Sequence, residues 1–123
     1  MYEYVELKSQ GFFKARVKYK DIINEYSKKK FRFITSIPKE SNTHGVATIL
    51  DLVFEKNIQD IEYMYNYVEI KTSGKVKLKS DEYRDIIDNY EKRNYKLITT
   101  LITEYDGYGA IKTLDLIFEK ICN

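Results

Sequence analysis

The sequence predicts an α+β protein made of two tandem β-β-α-β-β repeats, each an antiparallel sheet covered by one helix. The first observation is a segment that occurs twice: residues 50–56 read Leu-Asp-Leu-Val-Phe-Glu-Lys, and residues 114–120 differ from them only in Ile117 for Val53. The second is that Leu and Phe take every second position in both copies, which is the period of a half-buried strand. The third is a change to helical spacing about midway through each repeat. We therefore interpret the two segments as the central strands.

The length of the chain, 123 residues, favours one cooperative unit over two independent domains. We place the first repeat at residues 1–57, a connector at 58–63 and the second repeat at 64–123. Each repeat alone is near the lower size limit for a self-sufficient core. The two repeats are therefore expected to bury surface against each other, sheet to sheet or edge to edge about a pseudo-two-fold axis.

The first two strands of each repeat are expected to form a hairpin. Residues 2–8 and 65–71 alternate in character and are rich in Tyr, Val and Ile, as strands are. After a polar turn that ends in glycine, residues 13–20 alternate apolar with basic side chains, and residues 75–79 repeat this pattern in a shorter form. Lysines spaced in this way protect a sheet edge from pairing, so the second strands are predicted to be edge strands. The basic stripe of the first repeat consists of Lys14, Arg16, Lys18 and Lys20.

Helices are predicted to begin at Asp21 and at Ser80, where apolar residues adopt the i, i+3, i+4, i+7 spacing and Asp or Ser can cap the helix. Third strands are predicted at residues 31–37 and 95–102, ahead of the central strands. The strand order 2-1-4-3 would then place the first and fourth strands at the centre of each sheet.

The face of each sheet opposite the helix carries the candidate binding residues. Val5 and Leu7 take one side of the first strand, so the tyrosines of that strand take the other. The candidates on this face are Tyr2, Tyr4, Tyr65 and Tyr67, with the carboxylates Asp51 and Asp115. A duplication axis would bring the equivalent carboxylates close enough to share a proton or a divalent cation. We favour the structural interpretation, in which each of them pairs with a lysine, Lys8 or Lys71, or with a tyrosine hydroxyl.

Each repeat opens with an aromatic-x-aromatic-Val pattern, contains a single predicted helix and closes with an apolar strand that ends in Phe-Glu-Lys. The openings are Tyr2-Glu3-Tyr4-Val5 and Tyr65-Asn66-Tyr67-Val68. In these features the chain resembles two copies of a small, uncharacterised bacterial domain, domain of unknown function family 4177. The resemblance implies a small sheet-plus-helix unit and supplies no catalytic residue.

Residues suited to catalysis or metal binding are few. The only histidine, His44, lies in a turn rich in Ser, Asn and Thr with no cysteine or acidic cluster beside it. The only cysteine, Cys122, has no partner for an internal disulfide and is interpreted as an incidental thiol. Residues 107–109 (Gly-Tyr-Gly) are too short to cradle a phosphate. We therefore expect a protein that is not an enzyme and holds no metal or cofactor.

The composition is that of a soluble globular protein, with 43% hydrophobic and 33% charged residues. The chain has no apolar run of about 20 residues, as a spanning helix requires, and no signal-peptide layout. We expect a cytoplasmic protein with no membrane association. The net charge of +2 conceals a basic first repeat, since residues 1–40 carry 10 of the 21 Lys and Arg residues but only 5 of the 19 Asp and Glu residues.

These observations favour a non-catalytic binding or adaptor protein whose partner is a protein, a second copy of the chain or another acidic macromolecule. The first alternative is a nucleic-acid-binding protein that uses the basic stripe to follow a phosphate backbone. The second alternative is a small-ligand binder, or a phage- or plasmid-encoded inhibitor, with its site between the repeats.

Overall fold

The computed structural model describes residues 1–8, 12–71, 80–106 and 108–122, and the side chains of residues 12–17 and 80–82 lie outside that description. The elements are β1 (Tyr2–Lys8), α1 (Phe12–Lys28), β2 (Phe31–Ser41), β3 (Ala47–Lys56), β4 (Tyr63–Lys71), α2 (Ser80–Lys92), β5 (Lys96–Tyr105) and β6 (Ile111–Ile121). The predicted α+β class is confirmed. We call β1, α1, β2 and β3 the first unit, and the remaining elements the second unit.

Each unit contains one three-stranded antiparallel sheet. The strand orders are β1-β3-β2 and β4-β6-β5, so the strand that contains the repeated segment is central in both sheets, as predicted. Its alternation turns Leu52 and Phe54 towards α1, and Leu116 and Phe118 towards α2. All four side chains are buried. We call these helix-covered sides the inner faces and the opposite sides the outer faces.

The helices are held on the inner faces by aromatic stacking. Tyr26 of α1 stacks on Phe54 at a centroid distance of 4.4 Å, and Tyr90 of α2 stacks on Phe118 at 4.3 Å. The helix α2 begins at Ser80, as its spacing predicted. Two short helices of this kind depend on the sheet beneath them for stability.

Several local features recur 64 residues apart. The pairing register between β2 and β3 shifts after Phe33, and the register between β5 and β6 shifts after Leu97. The hairpin loop after β2 is closed by the Asn42 side chain, whose Oδ1 accepts hydrogen bonds from the backbone N–H groups of His44 and Val46 at 2.9 and 3.0 Å. The Asp106 side chain closes the loop after β5 in the same way, through Tyr108 and Ala110 at 2.8 and 2.9 Å.

The prediction of a strand at residues 13–20 is wrong, because these residues belong to α1. This helix begins at Phe12 rather than at Asp21. Tyr19, Ile23 and Tyr26 are spaced as i, i+4 and i+7, and all three contact the core of the first unit, Tyr19 and Ile23 being buried. This stripe, rather than the alternation, matches the period of the segment. The first unit is therefore β-α-β-β. The strand predicted at residues 75–79 lies outside the described residues.

The predicted strand order changes for the same reason. Among the described residues β1 pairs with β3 alone, so β1 is at the edge of the first sheet and not at its centre. The third strand is longer than predicted, since β2 continues through Pro38 to Ser41. Proline is tolerated there because β2 is an edge strand and its register shifts next to Pro38.

The two units pack asymmetrically, with the free edge of β2 and one side of α1 against the outer face of the second sheet. The Phe33 amide on that edge donates a hydrogen bond to the Tyr65 hydroxyl at 2.9 Å. Leu101 and Ile117 of the second sheet join the core of the first unit. A two-fold axis would require matching contacts of α2 with β1 and β2, and the described residues have none of comparable extent. The pseudo-two-fold expectation is therefore not confirmed.

The two hairpin loops touch at Gly109, which provides a test of this packing. Gly45 and Gly109 are equivalent and have φ values of +79° and +86°, but a Cβ atom on Gly109 would lie 2.6 Å from the His44 carbonyl oxygen, whereas one on Gly45 has no neighbour within 4 Å. Gly45→Ala should cost about 1–2 kcal/mol from the left-handed backbone alone. Gly109→Ala should cost clearly more in urea unfolding, because the His44 backbone must also move. Equal losses would contradict the loop contact.

Candidate functional site

The buried side of the contact between the units is centred on Asp115, which is fully buried on the outer face of the second sheet. The Tyr19 hydroxyl of α1 donates a hydrogen bond to Asp115 Oδ2, and the Lys20 ammonium lies 3.9 Å from the same oxygen. The Lys20 Nζ also lies 5.0 Å from the centre of the Tyr67 ring. The pairing of Asp115 with a tyrosine hydroxyl agrees with one of the sequence interpretations, although Tyr19 was not expected to supply it.

Tyr67 occupies the same contact and meets the Tyr19 ring edge to face at 5.6 Å. Burial, together with the nearby negative charges of Asp115 and Asp21, raises the pKa of Tyr67 well above its ordinary value. Its hydroxyl has no hydrogen-bond partner among the described residues. Tyr67 therefore contributes as an apolar ring of the contact.

A second, partly buried cluster joins the units through Arg32 and Glu119. Arg32 Nε donates to both carboxylate oxygens at 3.2 and 3.0 Å, and Nη2 donates to Oε1 at 2.7 Å. The Tyr65 hydroxyl donates to Glu119 Oε2 at 3.1 Å, and the guanidinium lies 4.7 Å from the centre of the Tyr63 ring. The hydrogen bonds that Arg32 donates to Glu119 raise the pKa of the guanidinium above its ordinary value. Burial, followed by the charge of Glu119, raises the pKa of Tyr65 above its ordinary value.

The outer face of the first sheet is the equivalent surface, and in the described part of the chain its tyrosines and carboxylates are exposed or half-buried, whereas its central Val53 is 7% exposed. Tyr2 and Tyr4 are 51% and 62% exposed there, and strand register places them beside Glu55 and Val53. Asp51 is half-buried on this face, with its Oδ1 3.9 Å from Lys39 Nζ. The predicted tyrosines thus fall into two groups: Tyr65 and Tyr67 lie within the contact between the units, whereas Tyr2 and Tyr4 face outwards.

Asp51 and Asp115, which a duplication axis could have brought together, do not share a site. Asp115 lies beneath α1, and Asp51 pairs with Lys39 on the open face. Within the described ranges, no group of three or more His, Cys, Asp or Glu side chains could hold a metal ion.

The predicted basic stripe is not on a strand, because all four of its residues belong to α1. The side chains of Lys14 and Arg16 lie outside the described part. Lys18 is exposed, whereas Lys20 is directed at Asp115. The proposed role of the stripe in guarding a sheet edge is therefore wrong.

A cavity of about 530 Å³ opens beside the Arg32–Glu119 pair at the boundary between the units. Its lining consists of Arg32, Tyr63, Asn94, Lys96, Glu119, Lys120 and Ile121. Asp51 and Asp115 do not line this cavity, so the duplicated Tyr and Asp residues do not converge in it as the small-ligand alternative expected.

Tyr19, Arg32 and Glu119 were not among the sequence candidates. The helical spacing of Tyr19 with Ile23 and Tyr26 is the signal that could have located Tyr19. Glu119 could have been found from its position on the outer face of the central strand, where a carboxylate between apolar neighbours requires a cationic partner when it is covered. None of the described helices is both long and apolar enough to cross a membrane.

Comparison of the chain with models of protein families, with curated proteins and with solved structures gave no match. The resemblance to domain of unknown function family 4177 therefore stays a prediction.

Proposed function

We propose that this protein is a non-catalytic, cytoplasmic binding protein, built by tandem duplication, that holds a protein partner on the outer face of its first sheet. The observation that carries the proposal is the difference between two equivalent faces. On the second sheet this face is covered by the first unit, and its residues Asp115, Ile117 and Glu119 are at most 4% exposed. On the first sheet the equivalent carboxylates Asp51 and Glu55 remain partly exposed, and of the three equivalent side chains only Val53, at 7% exposed, is buried.

The chemistry of the open face is that of a protein-binding surface. Tyr2, Tyr4 and Ile37 are 51%, 62% and 49% exposed, and Asp51 and Glu55 lie between them on β3. Tyrosine is enriched where proteins bind one another, because its ring is rigid and apolar and its hydroxyl remains polar. A contiguous patch of this kind on a soluble chain marks an interaction site.

The alternatives have less support. A nucleic-acid-binding role would need the basic stripe to follow a phosphate backbone, but Lys20 is engaged with Asp115. A small-ligand role would use the cavity of about 530 Å³, but Arg32 and Glu119 on its wall already neutralise each other.

Photocrosslinking in cells tests the proposed function. A benzophenone amino acid placed at Tyr4 should form a covalent adduct with a protein, whereas the same group at Tyr108, which is 92% exposed on a hairpin loop, should not. Mass spectrometry of the adduct would identify the partner. The proposal fails if position 4 yields no protein adduct, or if positions 4 and 108 yield the same ones.

A further inference from the structure

The contact between the units has two complementary sides. The first side, which we call the docking edge, consists of α1 and β2 and presents Tyr19, Lys20 and Arg32. The second side is the outer face of the second sheet, which presents Asp115 and Glu119 to them. Two cations and a tyrosine hydroxyl thus meet two buried carboxylates.

The second unit carries a docking edge of its own. Residues 19–26 read Tyr-Lys-Asp-Ile-Ile-Asn-Glu-Tyr and residues 83–90 read Tyr-Arg-Asp-Ile-Ile-Asp-Asn-Tyr. Tyr83, Arg84 and Lys96 therefore stand at the positions of Tyr19, Lys20 and Arg32. Arg84 and Lys96 are exposed, and neither forms an ion pair or hydrogen bond in the described residues. The cations of the docking edge are thus present a second time without a partner among the described residues, although β5 itself already contacts α1 and β2 through other residues.

The first unit carries the matching acceptor side. Asp51 and Glu55 stand at the positions of Asp115 and Glu119, and Tyr2 and Tyr4 at those of Tyr65 and Tyr67. Asp51 Oδ1 lies 3.9 Å from Lys39 Nζ. This ion pair is long and partly exposed to solvent, so it contributes little to stability. A cation from outside the chain could therefore replace Lys39 at small cost.

We infer that the partner held on the open face is a second copy of this chain, docked through its α2 and β5. In this arrangement Tyr83 and Arg84 meet Asp51 of the neighbouring copy, and Lys96 meets its Glu55, which reproduces between chains the contact that already joins the units. The charges are complementary, two cations against two carboxylates. This inference rests on the proposed function, because it names the occupant of the same face.

Such an interface is heterologous, since one chain offers its docking edge and the next offers its face. Every copy then has one free edge and one free face, so association continues into a chain of molecules or closes into a ring. The mass of the assembly should rise with protein concentration in whole multiples of the monomer.

Two complementary variants test the arrangement by sedimentation. An edge variant, Arg84→Ser with Lys96→Ser, should lose its docking edge and keep its face. A face variant, Tyr4→Ser with Glu55→Lys, should lose its face and keep its edge. Each alone should need a protein concentration at least about ten-fold higher than the wild type to associate, because each loses the charged contacts of the interface. Mixed in equal amounts they should form a one-to-one dimer and nothing larger, because only one edge and one face remain.

Lys29→Ser is the matched control, since Lys29 is 59% exposed and pairs with Glu25 of α1, which belongs to neither the free edge nor the open face. It should associate like the wild type. The one-to-one dimer of the edge variant and the face variant can form only if both variants are folded. Its appearance therefore also excludes misfolding as the cause of the lost association.

The inference is overturned if the wild-type chain remains monomeric at high concentration, or if the edge variant associates like the wild type. The crosslink at position 4 separates this failure from failure of the proposed function. A crosslink to a different protein would leave the binding face established and remove only the second copy as its occupant. In a mixture of isotopically light and heavy chains, self-docking should give an adduct between position 4 of one chain and α2 or β5 of another.

Discussion

Replacing Phe118 with alanine should lower the free energy of unfolding by about 3–5 kcal/mol, the usual cost of truncating a buried aromatic side chain. Phe118 is fully buried and stacks on Tyr90, so its loss leaves a cavity between β6 and α2. Phe54→Ala should cost a similar amount, because Phe54 is also fully buried and stacks on Tyr26. Urea unfolding monitored by circular dichroism measures both losses.

Tyr2→Ala provides the control for the phenylalanine variants, because Tyr2 is aromatic, lies in a strand and is 51% exposed. Its change in unfolding free energy should stay within about 0.5 kcal/mol, as is usual for surface substitutions. If both phenylalanine variants lost less than about 1 kcal/mol, a value far below that of core truncations, the inner and outer faces of the central strands would be reversed.

Arg32→Ala should destabilise the protein by about 3 kcal/mol, because it leaves the Glu119 carboxylate buried without its cation. Glu119 is 4% exposed and, among the partners in the described residues, would retain only the hydrogen bond from Tyr65. The expected loss of stability is at the low end for a broken buried ion pair, because the Arg32 side chain is itself 34% exposed. Thermal and urea unfolding of the same variant measure the loss.

Lys96→Ala is the matched control for Arg32, since Lys96 is the equivalent residue and is exposed. Its unfolding free energy, measured at a concentration where the chain is monomeric, should change by no more than about 0.5 kcal/mol. Adding Glu119→Gln to Arg32→Ala should restore part of the lost stability, because the unpaired charge is removed. A double variant less stable than Arg32→Ala alone would show that loss of Arg32 does not leave the Glu119 carboxylate as an unpaired buried charge.

The sequence was sufficient to predict the central strands and their faces. Leu52 and Phe54 alternate with the period of a strand, and so do Leu116 and Phe118. Because these segments show no second period, a strand is their only interpretation. The helix from Ser80 was equally clear, since a capping residue precedes an uninterrupted apolar stripe. These segments carry a signal in which local pattern and tertiary environment agree.

The beginning of α1 could not be read correctly because two periods overlap there. Residues 13–20 alternate like a strand, whereas Tyr19 also opens the helical stripe that continues to Tyr26. The tertiary environment decides in favour of the helix, because Tyr19 in a helix reaches both the first core and Asp115. Alternation cannot reveal that second contact, since it depends on a residue almost a hundred positions away.

The different roles of equivalent residues were also beyond the sequence. Tyr4 and Tyr67 are both followed by Val and Glu, and Asp51 and Asp115 both lie between two leucines. Only the asymmetric packing of the units makes one member of each pair buried and leaves the other on the open face. A repeat predicts that two surfaces are alike, but it does not predict which of them is covered.

The position of β6 in the sequence affects how the protein folds while the ribosome is still synthesising it. The ribosome adds residues in order, at about 5–20 per second, and β6 follows both of the strands that it joins. While β6 is still being made, β4 and β5 have no central strand to pair with and α1 has no second sheet to cover. The first sheet can assemble once β3 has emerged, whereas the nascent second sheet must wait with two unpaired strands. Chaperones that shield unpaired strands would therefore be needed most during this interval.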